Sequence, residues 1–477
     1  MGRIVVIGAG LGAMAAAARL AVAGHAVTVY ERTPAYGGAV GRFERDGFAF
    51  DTGPGLLHLP AVYRDLFVKT GKKPLEECVG LSQVDPAARH VFADGTRVDL
   101  PNASRAGTLA ALDAALGAGT GERWGDFLVR AREAWDRTRR PLLEEPQPAD
   151  PKSLAREPYP ALKAGLLRRP TRTLAQVGAR ELRDPRLVAL LDAYAEAYGF
   201  PAASAPASAA VLPYMEQTFG SWYVAGGMRA LADAVYERCR ERRVEFVFGA
   251  AVDEVLEEDG RAVGVRLASG STVEADHVVV GAPVPELYRE QVLPWRYSDE
   301  WTHFQHPGTS RVTVCLALRG SREADAVHRT VVHAEGGRPT VTVLRPDDPA
   351  LRPDAAHEAV TVTATVPASV EREWEPFADG MVEAAARAVP GLAERLVWRH
   401  VRTPEDVRAA TGSAEVPGPA LADARGEWLP APNLSPVSGL YYAGGWAHPG
   451  GGLAHAGMSG ALVAGLIVEG AEFRGSR

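Results

Sequence analysis

The chain is poor in cysteine and almost as poor in lysine. Its three cysteines in 477 residues, Cys78, Cys239 and Cys315, lie far apart. They match neither the paired spacing of a zinc site nor a disulfide framework. They read as structural thiols of a reducing, cytoplasmic compartment, and no metal site is expected. Lysine occurs five times and never after Lys163; arginine carries most of the positive charge, which we read as genome composition. No apolar run reaches the roughly 20 residues that span a bilayer. Basic charge is not in excess either: a net charge of −7 and a pI near 6.0 argue against nucleic acid as a partner. Arg3 followed by an Ala-rich stretch imitates an export signal, but the glycines within it suit another purpose, and export is set aside. What remains is 46% hydrophobic and 23% charged, the balance of a globular protein long enough for two or three domains.

Hydrophobic periodicity predicts a buried strand over Arg3 to Gly8, a helix over Leu11 to Ala23 and a second strand over Ala26 to Glu31. Asp46-Gly47 with Phe48 and Phe50 suggests a short hairpin. The pattern from about Leu109 to Ala197 is helical, interrupted by a Pro-rich linker from Pro141 to Pro160. Gly226-Gly227 opens a helix to Arg242. Several β-runs follow to Val280, with turns at Asp259-Gly260 and Ser269-Gly270. Thr309 to Leu318 and the alternating Val360, Val362, Ala364 and Val366 belong to a second sheet. The expected class is α/β. A Rossmann-like nucleotide domain would be assembled from residues 1–84, 214–284 and 415–477. An α+β substrate domain, mixed sheet plus helices, would come from 85–213 and 285–414, with a helical, membrane-facing candidate near 109–197.

Gly8-x-Gly10-x-x-Gly12 follows the first strand and opens the first helix. Gly8 suits the tight turn, Gly10 a close approach of backbone to pyrophosphate, and Gly12 close packing of helix on strand. Glu31 ends the second strand, where a carboxylate accepts ribose hydroxyls and repels a 2′-phosphate, which disfavours NADP. The spacing alone does not separate NAD from FAD.

Further residues do. Glu31-Arg32, Gly37-Gly38, Gly41-Arg42, Gly47-Phe48 and Asp51-x-Gly53-Pro54 together resemble the extended FAD signature of the phytoene desaturase and amine oxidase superfamily. That resemblance implies non-covalent FAD, since no Cys or His stands in an obvious flavinylation motif. It names Arg32, Gly38, Arg42, Gly53 and Pro54 as cofactor residues, Arg42 being either a countercharge or a surface arginine. Ala39 stands where the superfamily usually has Arg. Trp222-Tyr223-x-x-Gly226-Gly227-Met228 is similar to its aromatic turn before a helix, Val252 to its adenine-binding strand, and Val278 to Pro283 to its return strand. Near the C-terminus, Gly444-Gly445-Trp446-Ala447-His448-Pro449-Gly450-Gly451-Gly452-Leu453 resembles the carotenoid desaturase motif. Gly445, Gly451, Gly452 and Leu453 would there aim a helix start at the flavin. Ala447 and Ala454 replace the usual Thr and Pro, and His455 follows.

The resemblance implies a FAD-dependent oxidoreductase moving hydride between flavin and a long apolar polyene or isoprenoid, by dehydrogenation or isomerisation. Alternatives are a secondary-metabolite tailoring enzyme acting on a polyketide-type polyene, reductive in direction, or a FAD-binding protein without turnover. Amine oxidation ranks lower, because amine oxidases of this superfamily typically keep a late lysine and none follows Lys163. His455 and Trp446 are the catalytic candidates, His448 reads as structural, and His455 is equally readable as chemical or structural. The cavity is expected to be mostly apolar and to end beside Trp222, Tyr223, Trp446 and His455. Leucines and basic residues between Ala161 and Val177 would suit peripheral membrane contact, or the solvated face of an ordinary helical domain broken at Pro170. The oligomeric state stays open.

Overall fold

The computed structural model describes residues 2–148, 151–164, 167–169, 171–201, 203–294 and 308–475. Its central element is a five-stranded parallel sheet in the order Glu245–Phe248, Ala26–Glu31, Arg3–Ile7, His277–Val280, Leu440–Tyr442. Three distant stretches of chain build it. A parallel sheet must be covered on both faces, so its central strands Arg3–Ile7 and His277–Val280 are almost continuously apolar and buried rather than alternating. Ile4, Val6, Val29 and Val279 face a helical layer, while Val5, Ile7, Val278 and Val280 face a small antiparallel sheet of Val252–Glu258, Arg261–Leu267 and Thr272–Glu274.

The helical layer brings the two ends of the chain together. Helix Leu11–Val22 lies along helix Leu453–Glu469 through small residues. A Cβ on Gly12 would stand 2.6 Å from both Ala456 O and Gly444 Cα. Gly12 therefore admits the C-terminal helix and its preceding loop, not only the strand beside it as expected. Helix Met228–Glu241 completes the layer.

The second sheet is mixed and has seven strands, ordered Leu396–Arg402, Thr309–Arg319, His357–Pro367, Val341–Leu344, Arg329–Val332, Ala88–Val91, Arg97–Leu100. Its two faces differ chemically. Val312, Val314, Val360, Val362 and Val343 pack with Ala378 and Met381 of helix Trp374–Ala385. The opposite face carries Arg311, Thr313 and Cys315 in register with Thr365, Thr363 and Thr361. Cys315 on that face packs with Phe48 and Phe50 of the hairpin near the N-terminus.

Helices Arg105–Leu116, Thr120–Arg139, Pro185–Ala197 and Val211–Phe219 form a third body around Trp124, Phe127, Leu190 and Leu191. The helical expectation fails within it at one place. Leu162–Ala164 and Leu167–Arg169 pair as a short antiparallel hairpin. The basic segment between Ala161 and Val177 is thus not one helix, and the side chains of residues 163–170 lie outside those described. Among the described residues, no helix is long and apolar enough to cross a membrane, and none of their His, Cys, Asp and Glu side chains cluster in a metal-binding group.

Candidate active site

Four glycine-containing loops converge where the parallel strands end. Gly8 has φ +91 and donates its N–H to Tyr30 O at 2.8 Å, closing the turn from strand to helix. Gly10 forms the next helix's N-cap without a side-chain cap. A Cβ there would meet only Gly281 O, at 3.8 Å, so open space lies over it. Gly37 pairs with Gly10 in a parallel bridge, and a Cβ on Gly38 would stand 3.2 Å from Gly10 Cα. Bare backbone thus faces bare backbone, beside a helix start whose first-turn N–H groups lack intrahelical acceptors.

Glu31 is buried and holds this turn from below. Its carboxylate accepts from Ala9 N, Thr33 N and Thr33 Oγ1, each at 2.8 Å. Ala250 N donates to Glu31 O at 2.9 Å, which brings the start of the Val252 strand to the same end of the sheet. The carboxylate thus ties the glycine loop to the second strand, a role the motif did not announce.

Both arginines of the motif bind main-chain carbonyls of other segments. Arg32 is exposed and donates to Arg408 O and Ala409 O at the C-terminal end of helix Pro404–Thr411. Arg42 donates to Gly226 O and lies 3.7 Å from Glu44. Both side chains lock chain segments together. Arg229 stands closer to the glycine pair: it donates to Tyr36 O at 2.8 Å, and its Nη1 would be 3.3 Å from a Cβ on Gly37. Asp51 accepts from Met228 N and Arg229 N at 2.7 and 3.1 Å, capping that helix. Burial raises the Asp51 pKa, and these two amides oppose the rise. Gly53 rests on Ala39 O and is followed by half-buried Pro54.

The second helix start lies at the C-terminal motif. Helix Leu453–Glu469 has Gly452 as N-cap, φ +100, with no side-chain cap. Gly452 is exposed between buried Gly451 and half-buried Leu453, so this helix start opens onto a crevice. Gly451 N is already engaged by Gly418 O at 2.7 Å, which leaves the first-turn amides of Leu453, Ala454 and His455 as available donors. Gly445 lies against Pro417 and Gly451.

The two histidines differ in role. His448 is fully buried; its Nε2 donates to Glu145 O at 2.9 Å and its main chain is held by Ala431 O and Asn433. It fastens the C-terminal motif to the helical body. His455 makes no side-chain hydrogen bond to another described residue and lines a cavity with Trp135, Leu142, Leu143, Val211, Met215 and Ala420. Burial lowers both imidazoles to about 4, so both are neutral at pH 7.

The expected aromatic surround is largely elsewhere. Trp446 is buried in the core with Tyr442, Val437 and Leu440, behind the sheet rather than at the cavity. Trp222 and Tyr223 are neighbours on one strand and so point to opposite sides. Trp222 donates to Phe219 O at 3.1 Å, with the Arg64 guanidinium 5.2 Å from its ring. Tyr223 lines a separate cavity with Gly53, Gly55 and His328, its hydroxyl donating to Asp348 at 2.7 Å. Of the four residues expected at the apolar cavity, His455 alone lines it. Tyr198 was not anticipated. Its ring lies at the crevice, 3.9 Å from where a Cβ on Gly452 would be, and it packs with Leu59, Trp135 and Met215. No motif flags it, since it follows a helix remote in sequence.

Two uncapped helix starts, joined by glycine backbone and flanked by a ribose-type carboxylate, fit an extended dinucleotide carrying a ring system. Similarity to known proteins agrees. The flavin containing amine oxidoreductase family matches residues 14–468. A 4,4'-diapolycopene oxygenase from Methylomonas sp is 29% identical, over 98% of both chains. A 4,4'-diaponeurosporene oxygenase from Staphylococcus aureus is 26% identical over 97% of both. Among solved structures, an oxidoreductase from Methanosarcina mazei superposes with TM-score 0.67 at 18% identity, covering 97% of this chain and 99% of that one. A putrescine oxidase bound to putrescine gives TM-score 0.68 at 18% identity, covering 98% and 99%; at such identity these structures establish the fold alone. The chain belongs to the flavin-containing amine oxidoreductases and is a FAD-dependent oxidoreductase.

Proposed function

We propose that the enzyme oxidises a long apolar polyene whose chain lies in the cavity ending at His455, with hydride leaving the substrate for the flavin. Bound FAD supplies the two-electron acceptor. The residues of the chain do the rest. Gly8 to Gly12 and Glu31 hold the nucleotide end. The amides at Leu453 to His455 stabilise negative charge on the ring that faces them. Trp135, Leu143, Val211 and Met215 hold the substrate by apolar contact and exclude water.

The observation that carries this reading is the cavity itself: walls that are apolar except at Thr138, Arg139 and Ser208 reach a neutral histidine in the first turn of an uncapped helix. Among the described residues, its lining holds no carboxylate, which would attract an amine. The absence of lysine after Lys163 points the same way. The relatives named as diapolycopene and diaponeurosporene oxygenases support a polyene over an amine. Anaerobic mixing of the holoenzyme with polyenes and with amines tests the reading: polyenes should bleach the flavin absorbance. Bleaching by amines alone would overturn it.

A further inference from the structure

The glycines of the C-terminal motif cannot by themselves aim the helix they precede. Gly450, Gly451 and Gly452 carry no side chains, and glycine backbone has the most conformational freedom to lose on folding. The direction of the helix start must therefore be set by contacts on either side of the run. Asn433, in the loop before the last strand and marked by no sequence motif, makes contacts on both sides.

Asn433 is buried, and its amide nitrogen reaches three acceptors. His448 O lies at 2.7 Å, just ahead of the glycines. Ser459 Oγ lies at 3.3 Å, in the second turn of helix Leu453–Glu469 that follows them. Tyr442 O, at the end of the last strand, is the third at 3.1 Å, and Tyr442 N returns a bond to Asn433 O at 2.9 Å. Two carbonyls fix the amide's orientation, since only its NH2 group can donate to them. Asn433 Oδ1 is buried with no partner among the described residues. The side chain thus acts through its nitrogen. Ser459, itself fully buried, carries the contact onward by accepting from Gly444 N at 3.0 Å. Gly444 is the residue against which Gly12 packs. The same small network therefore joins the start of the C-terminal helix to the first turn of helix Leu11–Val22.

We propose that Asn433, through His448 O and Ser459, is a positioning residue for the flavin. It holds the amides of Leu453, Ala454 and His455 where they stabilise negative charge on the reduced ring. The inference rests on the reading that these amides face the ring, and is independent of which substrate is oxidised.

The test is the two-electron reduction potential of FAD-saturated wild type, Asn433→Leu, Ser459→Ala and Gly452→Ala, each equilibrated anaerobically with a reference dye. In Asn433→Leu, reduced FAD should lose about tenfold more affinity than oxidised FAD, which moves the potential negative by roughly 30 mV. Ser459→Ala should shift it in the same direction by less. Leucine is close to asparagine in size, so a side chain needed only to fill space would leave the potential where it is. Lower thermal stability with an unchanged potential would assign Asn433 to folding alone and overturn the proposal. Ser459→Ala removes a single hydroxyl and carries the test should Asn433→Leu fail to fold. A shift in Gly452→Ala alone would overturn the positioning role while the amide reading stands. No shift in any variant would overturn both.

Discussion

Tyr198 and Gly452 come from opposite parts of the fold and meet at the opening of the C-terminal helix, the ring 3.9 Å from the position of a Cβ on the glycine. Gly452 also faces His455 Nδ1, which would be 3.3 Å from that Cβ, and its φ of +100 disfavours any side chain. Gly452→Ala should therefore tilt the helix start against both rings without entering the core, because Gly452 is exposed. The expected outcome is folded protein with a reduced ratio of flavin to protein absorbance. Gly451→Ala differs: its Cβ would overlap Pro417 O, a main-chain atom that cannot rotate away. Soluble yield should fall sharply for Gly451→Ala, and equal behaviour of the two variants would contradict this assignment.

Glu31 joins the glycine loop to the second strand. Removing the carboxylate leaves Ala9 N and the Thr33 donors without their acceptor as well as the ribose hydroxyls without theirs. A lost charged acceptor is worth about 1.5 to 3 kcal/mol, so Glu31→Ala should weaken FAD retention by roughly 10- to 100-fold. Dialysis followed by fluorescence of the released cofactor measures this. Denaturing the wild-type protein should release free FAD, since no Cys or His stands in an obvious flavinylation motif. Flavin that stays with precipitated protein would refute that.

Some of this was legible in the residues and some was not, for physical reasons. The glycine turns were readable because close approach of backbone admits few residue types, as at Gly10 and Gly38. Glu31 was readable as the residue that ends the second strand. The errors concern direction. Trp446 follows Gly445 in sequence, but its side chain turns into the core behind the sheet, and Trp222 turns away from the face used by Tyr223. Arg32 and Arg42 were given to the cofactor on motif position, yet their partners are main-chain carbonyls at Arg408, Ala409 and Gly226, which no local pattern reveals. Tyr198 and Gly452 belong to separate bodies and become neighbours only in the folded chain.

Acid should destabilise the fold through buried histidines. His333, His448 and His455 are buried, and burial lowers each to about 4 from 6.5. The unfolded chain then binds more protons than the folded one between those two values. Their contribution is complete above pH 6.5 and is lost as pH falls toward 4, up to about 3 kcal/mol for each. Thermal midpoints recorded from pH 7 to pH 4 should drop steeply over this interval. His455→Gln should flatten the slope by about one proton's worth. An unchanged slope in that variant would mean that His455 is already charged in the folded state.

Removal of His455 also decides how the chemistry is done. Its imidazole is neutral at pH 7, makes no side-chain hydrogen bond to another described residue, and stands in the first turn of the uncapped helix Leu453–Glu469. If hydride leaves an unactivated carbon, that transfer requires alignment and amide donors but no titrating side chain. His455→Ala should then lower turnover only modestly, with FAD occupancy and the pH profile intact. The modest loss would come from the cavity wall, since the ring lines it with Trp135 and Met215. A proton-transfer role predicts otherwise: turnover should fall by about 10²- to 10⁴-fold, and the acid limb of the profile, near the lowered imidazole value, should disappear. Measuring single-turnover flavin reduction across pH for wild type and His455→Ala separates the two, because it isolates the transfer from product release. A large loss at full FAD occupancy would replace alignment with acid–base catalysis at this residue.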